Sequence, residues 1–285
     1  KSFADDTKGK LYVVPTPIGN LEDITFRALR TLKEVDLIAA EDTRQTKKLL
    51  NHFDIATPLI SYHEHNKGAQ GEKLKKELME GRKIAIVSDA GMPVISDPGF
   101  DLIQEVETVA DVIVLPGANA ALCALVGSGL PSEAFYFYGF LPRKKKELHE
   151  ALETLQFMKA TMLFYESPHR IKDTVKAMKE VFGDSRNIVL ARELTKRFEE
   201  YVKGTAKEVS DYLEERHEEI RGEFCIVVEG TTEEPELQNW WDELSIKEHI
   251  HFYINERGMS NKDAIKQTAV DRGLPKREVY QEFHQ

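Results

Sequence analysis

The chain has 285 residues, room for about two domains at roughly 150 residues each. Asp and Glu total 49 against 39 Lys and Arg, a net charge of −10, and 41% of residues are apolar. That composition is globular and excludes a disordered chain, a coiled coil or a uniformly basic nucleic-acid clamp, so any RNA or DNA partner has to be met by a local basic patch. Cys123 and Cys225 are the only cysteines. Each lies in an apolar run without CxxC spacing, which suits a reducing cytoplasm rather than a disulfide framework.

In chain order, residues 1–10 lack an apolar core and are expected to be a flexible N-terminus, neither signal peptide nor anchor. Short β-branched runs follow at 11–15, 35–40, 59–62, 84–88 and 112–116. Helical spacing separates them, as in Ala28, Leu29, Leu32 and Val35, or Leu74, Leu78 and Met79 before Gly81. Strands alternating with helices predict a mostly parallel sheet covered on both faces. Residues 112–132 form a 21-residue uncharged stretch, long enough to span a bilayer. Pro116, Gly117, Asn119, Gly127, Gly129 and Pro131 cut it into a strand, a turn, a small-residue helix and another turn, so no membrane span is expected.

A second series of strands is predicted at 135–140, 161–165, 188–191 and 224–228. Between them lie a Val175, Met178, Val181, Phe182 stripe and a helix over 206–219 entered through Gly204-Thr205. The fold class is therefore α/β, with two α/β domains over 11–118 and 119–232 and a cleft between them, since no Gly/Ser linker separates them. After the polar break at 231–235 comes a small helical tail, 233–285. Ser245 with Glu248 and Ser260 with Asp263 have capping-box spacing, and Pro275 is placed to open a third helix. The tail has a helix-turn-helix outline, yet from 245 to 285 it carries seven Lys or Arg against six Asp or Glu, too balanced to make it a nucleic-acid reader by charge.

Phosphate-loop and dinucleotide signatures are missing, and the nearest approach to GxGxxG, at 127–132, fails at its last position. Three Gly/Pro/Asp loops stand instead at strand ends, over 15–23, 88–99 and 116–121. In open α/β sheets ligands gather beyond the carboxyl ends of strands, where small residues let backbone approach them. Any one such loop is ordinary turn chemistry. Three in one sheet predict a binding cleft.

The strings LYVVPTPIGNLEDIT (11–25), AEDTR (40–44), SDAGMPVISDPG (88–99), LPGAN (115–119), YGFLP (138–142), FYESPHR (164–170) and RELTK (192–196) carry a resemblance. The chain resembles the ribosomal RNA small subunit methyltransferase I family, of the tetrapyrrole-methylase superfamily, over about residues 11–230 and more weakly in the tail. The resemblance implies two domains of tetrapyrrole-methylase type with the cofactor in the inter-domain cleft. It further implies a cytoplasmic, S-adenosylmethionine-dependent homodimer that methylates the ribose 2′-hydroxyl of a decoding-region cytidine in 16S rRNA, within the small ribosomal subunit. Matched by motif, Pro17 borders the cofactor, and Asp89, Ala90, Gly91 and Ile95 form its main cradle. Asn119 and Ala120 line one side, and Tyr165, Glu166, Leu194, Gly222 and Glu223 close over adenine and ribose. The order Gly91-Met92-Pro93 departs from the superfamily's Gly-Asp-Pro, so Met92 inherits no role. Glu166 can suit a sulfonium electrostatically or be a solvated turn residue.

Methyl transfer to oxygen is an in-line displacement that needs the hydroxyl oxygen about 3 Å from the methyl carbon and is helped by a base. Glu41, Asp42 and Arg44, at the exit of the second strand, are the catalytic candidates, with His63 and His169 next. Asp42 competes as a helix N-cap, and Arg44 as its ion-pair partner or a phosphate ligand. His63-Glu64-His65 lacks a third ligand at metal spacing, so no metal is expected. Arg143, Lys144, Lys145 and Lys146, after aromatics at 135–140 read as core, form the local cationic patch that RNA requires, extended by His169 and Arg170. Trp240-Trp241 is expected to anchor the tail to the domain. The same fold with a tetrapyrrole substrate and a non-catalytic RNA-binding module are the competing readings.

Overall fold

A computed structural model of the chain describes residues 8–95, 100–216, 220–234 and 239–284. Residues 1–7 of the N-terminal stretch, 96–99 of the fourth-strand loop, 217–219 of the 206–219 segment and Pro235 lie outside the described residues, as do 236–238 and 285. The chain forms two compact units, Lys1–Thr232 and Glu233–Gln285.

The first sheet comprises β1 (Gly9–Val13), β2 (Leu37–Ala40), β3 (Leu59–Ser61), β4 (Lys83–Val87) and β5 (Ala110–Val114) in the order β3-β2-β4-β1-β5. All four pairings are parallel. Alternate residues of each strand face opposite ways. Ala39, Ile84 and Ile86 pack with Leu74, Leu78, Leu102 and Val106 of α3 (Lys67–Met79) and α4 (Phe100–Val106). Ile38, Ala40, Ala85 and Val87 pack with Ala28, Leu32 and Leu50 of α1 (Phe26–Glu34) and α2 (Thr43–His52). Gly9 and Lys10, expected to be part of a flexible N-terminus, are instead buried in β1, paired with Ala110 and with Lys83 and Asp111.

The stretch 112–132 divides as its glycines and prolines predict. After β5 the chain turns into α5 (Ala120–Ser128), capped by the Asn119 side chain and ended by left-handed Gly129 at φ 75°. No described helix is long and apolar enough to cross a membrane.

The second sheet comprises β6 (Phe135–Phe140), β7 (Thr161–Glu166), β8 (Asn187–Arg192), β9 (Glu200–Thr205) and β10 (Phe224–Val228) in the order β6-β7-β10-β8-β9. Here only β6 and β7 run parallel; β10 opposes both β7 and β8, and β8 forms a hairpin with β9. Residues of β9 lie unrecognised in the sequence because Glu200, Lys203 and Gly204 give an edge strand no apolar alternation. One face of the sheet, with Met162, Phe164, Ile188, Leu190 and Ile226, is covered by α6 (Lys145–Leu155), α7 (Ile171–Phe182) and α8 (Ala206–Glu215). The other face, with Leu163, Val189, Cys225 and Val227, takes α5 through Ala121, Ala124 and Leu125. The β6 aromatics are core only in part: Phe137 and Tyr138 are half-buried against the core on the two faces of the sheet. Phe135 and Tyr136 are 45% and 41% exposed because β6 is an edge strand, and a register shift between Phe137 and Gly139 leaves Phe140 59% exposed.

The second unit holds α9 (Ile246–Asn255), α10 (Asn261–Asp271) and α11 (Lys276–His284). Ser245 and Glu248 form a complete capping box, and the Ser260 hydroxyl accepts from the Asp263 N–H. The tryptophans pack on rings of this same unit: Trp240 meets Phe252 at 4.1 Å and Trp241 stacks on His249 at 5.0 Å. The His249 ring is fully buried, and its Nδ1 accepts from Arg272 Nε at 3.1 Å. Arg272 also donates to the carbonyls of Trp241, Leu244 and Ser245. Burial, then the Arg272 charge, holds the His249 pKa below its ordinary value, against the pull of Asp271.

A histidine with a depressed folded-state pKa makes stability fall as pH drops through its unfolded value of about 6.5. Both tryptophans of the chain sit in this cage. Tryptophan fluorescence should therefore report loosening of the unit between about pH 7 and pH 5, and His249→Gln should flatten that response. A pH-independent signal in the unsubstituted protein contradicts this account of the cage.

Candidate active site

The loops leaving β1 and β4 are tied to each other before any ligand is considered. Thr16 and Gly91 exchange two backbone hydrogen bonds of 3.0 Å, the Thr16 hydroxyl donates to the Ser88 carbonyl, and the Ser88 hydroxyl donates to the Gly91 carbonyl. Gly91 has φ +79°, and a Cβ there would meet Ile18 Cγ2 at 3.0 Å and the Ala118 carbonyl oxygen at 3.3 Å. The loop thus requires glycine for conformation as well as space. Val94 follows at φ 76°, a costly backbone for a β-branched residue and of the kind that clusters at functional loops.

On the side of the second sheet, the β8 exit holds Glu193 and Thr195 at φ 51° and 65°. Glu193 Oε1 accepts from Lys196 Nζ at 2.9 Å and from the Glu223 N–H at 3.1 Å. Its pKa falls below the usual carboxylate range: burial pushes it up, but the hydrogen bonds from Lys196 and the Glu223 backbone prevail. Gly222 has φ +91°, and a Cβ would lie 2.4 Å from Glu193 Cγ. Its role is to let this carboxylate fold over it.

Between these loops lies a cavity of about 500 Å³, in the range of small-molecule sites. Of the twelve residues matched to the cofactor, Asp89, Ala90, Gly91, Ile95, Asn119, Ala120, Tyr165, Glu166, Leu194 and Glu223 line it, while Pro17 and Gly222 do not. The sequence reading gave no cofactor role to Ile18, Phe140, Glu193 and Lys196, which line it too. Lys196 belongs to a quoted motif, but only its ion pairs, 2.9 Å to Glu193 and 3.1 Å to Glu223, reveal what it does. Cys225 also contributes; burial pushes its thiol up to about 12, so it is no nucleophile near neutral pH.

Glu166 is neither solvated nor free to meet a ligand charge with both oxygens. It is 3% exposed, Oε1 accepts from the Ser167 N–H at 2.7 Å, and Oε2 accepts from the buried Thr174 hydroxyl at 2.7 Å. Arg170 Nη1 stands 3.6 Å from Oε2, and its guanidinium donates to the carbonyls of Leu141 and Pro142 at 3.3 and 2.6 Å. Expected as a phosphate ligand, Arg170 instead spends these donors fixing the chain just before Arg143. His169 is exposed on the same turn. In the cationic segment Lys144 pairs with Glu147 at 2.9 Å and Lys146 with Glu150 at 3.7 Å, whereas Arg143 and Lys145 have no ion-pair partner among the described residues.

None of Glu41, Asp42 and Arg44 lines the cavity. Asp42 caps α2, accepting from the Arg44 N–H at 2.8 Å, and pairs with the Arg44 guanidinium at 3.0 Å. The Arg44 hydrogen bonds hold its carboxyl below the usual range, a poor property in a base. Glu41 differs: partial burial, then the nearby Asp89 charge, raises its pKa, with His63 opposing. Asp89 Oδ1 accepts from the Asp42 N–H at 3.0 Å and so joins this rim to the cavity wall. The His63 N–H donates to Asn66 Oδ1, while Glu64 turns onto Lys67 at 2.8 Å.

The family described as Tetrapyrrole (Corrin/Porphyrin) Methylases matches residues 10–210. Across 98% of this chain and 96% of its relative, the sequence is 57% identical to "Ribosomal RNA small subunit methyltransferase I" of Halalkalibacterium halodurans. The Bacillus subtilis protein of that name is 54% identical across 97% and 94%. The structure is similar to a cobalt precorrin-4 methyltransferase, with a TM-score of 0.57 and 16% identity over 77% of this chain and 94% of that one. The chain belongs to the tetrapyrrole methylase family and, within it, to the ribosomal RNA small subunit methyltransferase I family. It is a methyltransferase.

Thr174→Val keeps the shape of a fully buried side chain but removes a donor from the buried Glu166 carboxylate. The cost should be about 1–3 kcal/mol, read by chemical denaturation. Unchanged stability contradicts the assignment of Glu166 as a structural tie.

Proposed function

We propose that the chain transfers a methyl group from S-adenosylmethionine to the ribose 2′-hydroxyl of a decoding-region cytidine in 16S rRNA. The observation that carries this reading is the cavity framed by loops of both sheets, in a chain that matches relatives of that name over nearly its whole length. The cavity suits the cofactor: Ile18, Ala90, Ile95, Ala120, Tyr165 and Leu194 give it apolar walls, and Asp89, Glu193, Lys196 and Glu223 supply charges of both signs. When bound, S-adenosylmethionine supplies an electrophilic methyl carbon.

This chain's residues do the positioning. The bonded pair of loops at Thr16 and Gly91 holds one wall rigid, and Arg170 fixes the β6 exit so that Arg143 and Lys145 are presented to phosphate. Glu41, its pKa raised, is the candidate to take the hydroxyl proton, which makes activity fall as pH drops through that raised value. Asp42 and Arg44 are withdrawn from that role by their mutual pairing. A homodimer agrees with the apolar Leu122 and Val126 on α5, 47% and 80% exposed. The cytoplasm agrees with two free thiols. A tetrapyrrole substrate would leave the Arg143 to Lys146 segment without a purpose.

The test supplies methyl-labelled S-adenosylmethionine and unmodified small ribosomal subunits. Label should appear on one ribose of 16S rRNA; label on precorrins alone, or none, overturns the reading. Replacing Arg143 and Lys145 together by Ala should weaken RNA binding and lower its salt slope by about two, leaving cofactor affinity unchanged. Undiminished RNA affinity in filter binding removes the patch.

A further inference from the structure

A second hollow, of about 750 Å³, opens between α2 and the edge strand β3, away from the cavity lining. Its floor is apolar, with Leu50 and Ile55 buried and Leu59 half-buried. Its rim carries Arg44, Lys47, Asn51 and Ser61. The sequence of α2 holds Arg44, Lys47 and Lys48 and no Asp or Glu, although the chain as a whole is at −10. Lys47 is exposed and has no partner among the described residues. Arg44 is held only by Asp42, at 88% exposure, and water and salt screen such a pair.

A hydrogen bond ties the hollow's end of α2 to the wall of the cavity. Asp89, in the cavity wall, accepts from the Asp42 N–H, and Thr43 and Arg44 immediately beyond line the groove. The proposed substrate strand, its ribose at the cavity, is taken to continue along this link onto α2. An apolar floor under a cationic, hydroxyl- and amide-bearing rim fits one nucleotide with its base down and its phosphate at the rim.

We infer that the α2–β3 groove binds a nucleotide of single-stranded RNA flanking the methylated residue, with Lys47 on its phosphate and Arg44 exchanging Asp42 for the same chain. The inference rests on the proposed RNA substrate. It adds a second contact surface, on the first sheet, to the Arg143 and Lys145 patch on the second.

The experiment uses the full chain and a fluorescent single-stranded decoding-region oligoribonucleotide, followed by anisotropy across a salt series. Lys47→Glu should weaken binding by about tenfold or more and lower the salt slope by about one. Ala56→Trp, which fills the groove without altering charge, should weaken binding by about tenfold with the slope unchanged. Cofactor affinity by calorimetry should be unchanged in both, showing intact folds. Photocrosslinks from thio-substituted nucleotides should map to residues 43–61. RNA affinity unchanged in both variants, with crosslinks only around 143–146, overturns the groove and leaves the methyl-transfer reading standing. A wild-type chain that neither binds nor methylates the RNA overturns both.

Discussion

A carboxylate buried to 3% exposure must be satisfied from every side, and that demand at Glu166 organises the region around the site. Its two oxygens take the Ser167 backbone and the Thr174 hydroxyl, which fixes the β7 exit against α7. Its charge draws in Arg170, whose remaining donors clamp Leu141 and Pro142. One buried group therefore sets the cavity wall and, through a single guanidinium, the origin of the cationic segment. A change at this point is felt both where the cofactor is proposed to lie and where RNA is proposed to be held.

The opposite wall is built from backbone instead of charge. Paired Thr16 and Gly91, with Ser88 bonded to both, make two loops behave as one, and Asp89 extends that unit to the start of α2. Left-handed conformations at Val94, Glu193 and Thr195 lie on loops that frame the cavity. They are the kind of strain that a rigid surround maintains and that preorganises a site in advance of its ligand.

Much of this was legible in the sequence. The β-branched runs and the Gly/Pro/Asp loops after them placed nine of the ten strands and the cavity loops, because strand period and turn chemistry are local signals. Local signals could not show the antiparallel pairing of β10, decided by long-range contacts, nor β9, whose charges and glycine hide an edge strand. They also could not show that Arg170 faces two carbonyls or that Asp42 is occupied with Arg44, since a charged residue's partner is chosen by the fold. Gly222 was read as a wall residue; the glycine is needed because Glu193 lies across it.

The proposed RNA contacts of this acidic chain rest on cations of two separate elements, the β6 exit and α2. Both adjoin the loops that frame one cavity. The most direct measurement of that central claim is a crystal structure with S-adenosylhomocysteine. The account predicts density between the Gly91 loop and Leu194, beneath Tyr165, with the Thr16 to Gly91 bonds intact. Density in the α2–β3 groove instead, or a cavity closed by side chains, would contradict it.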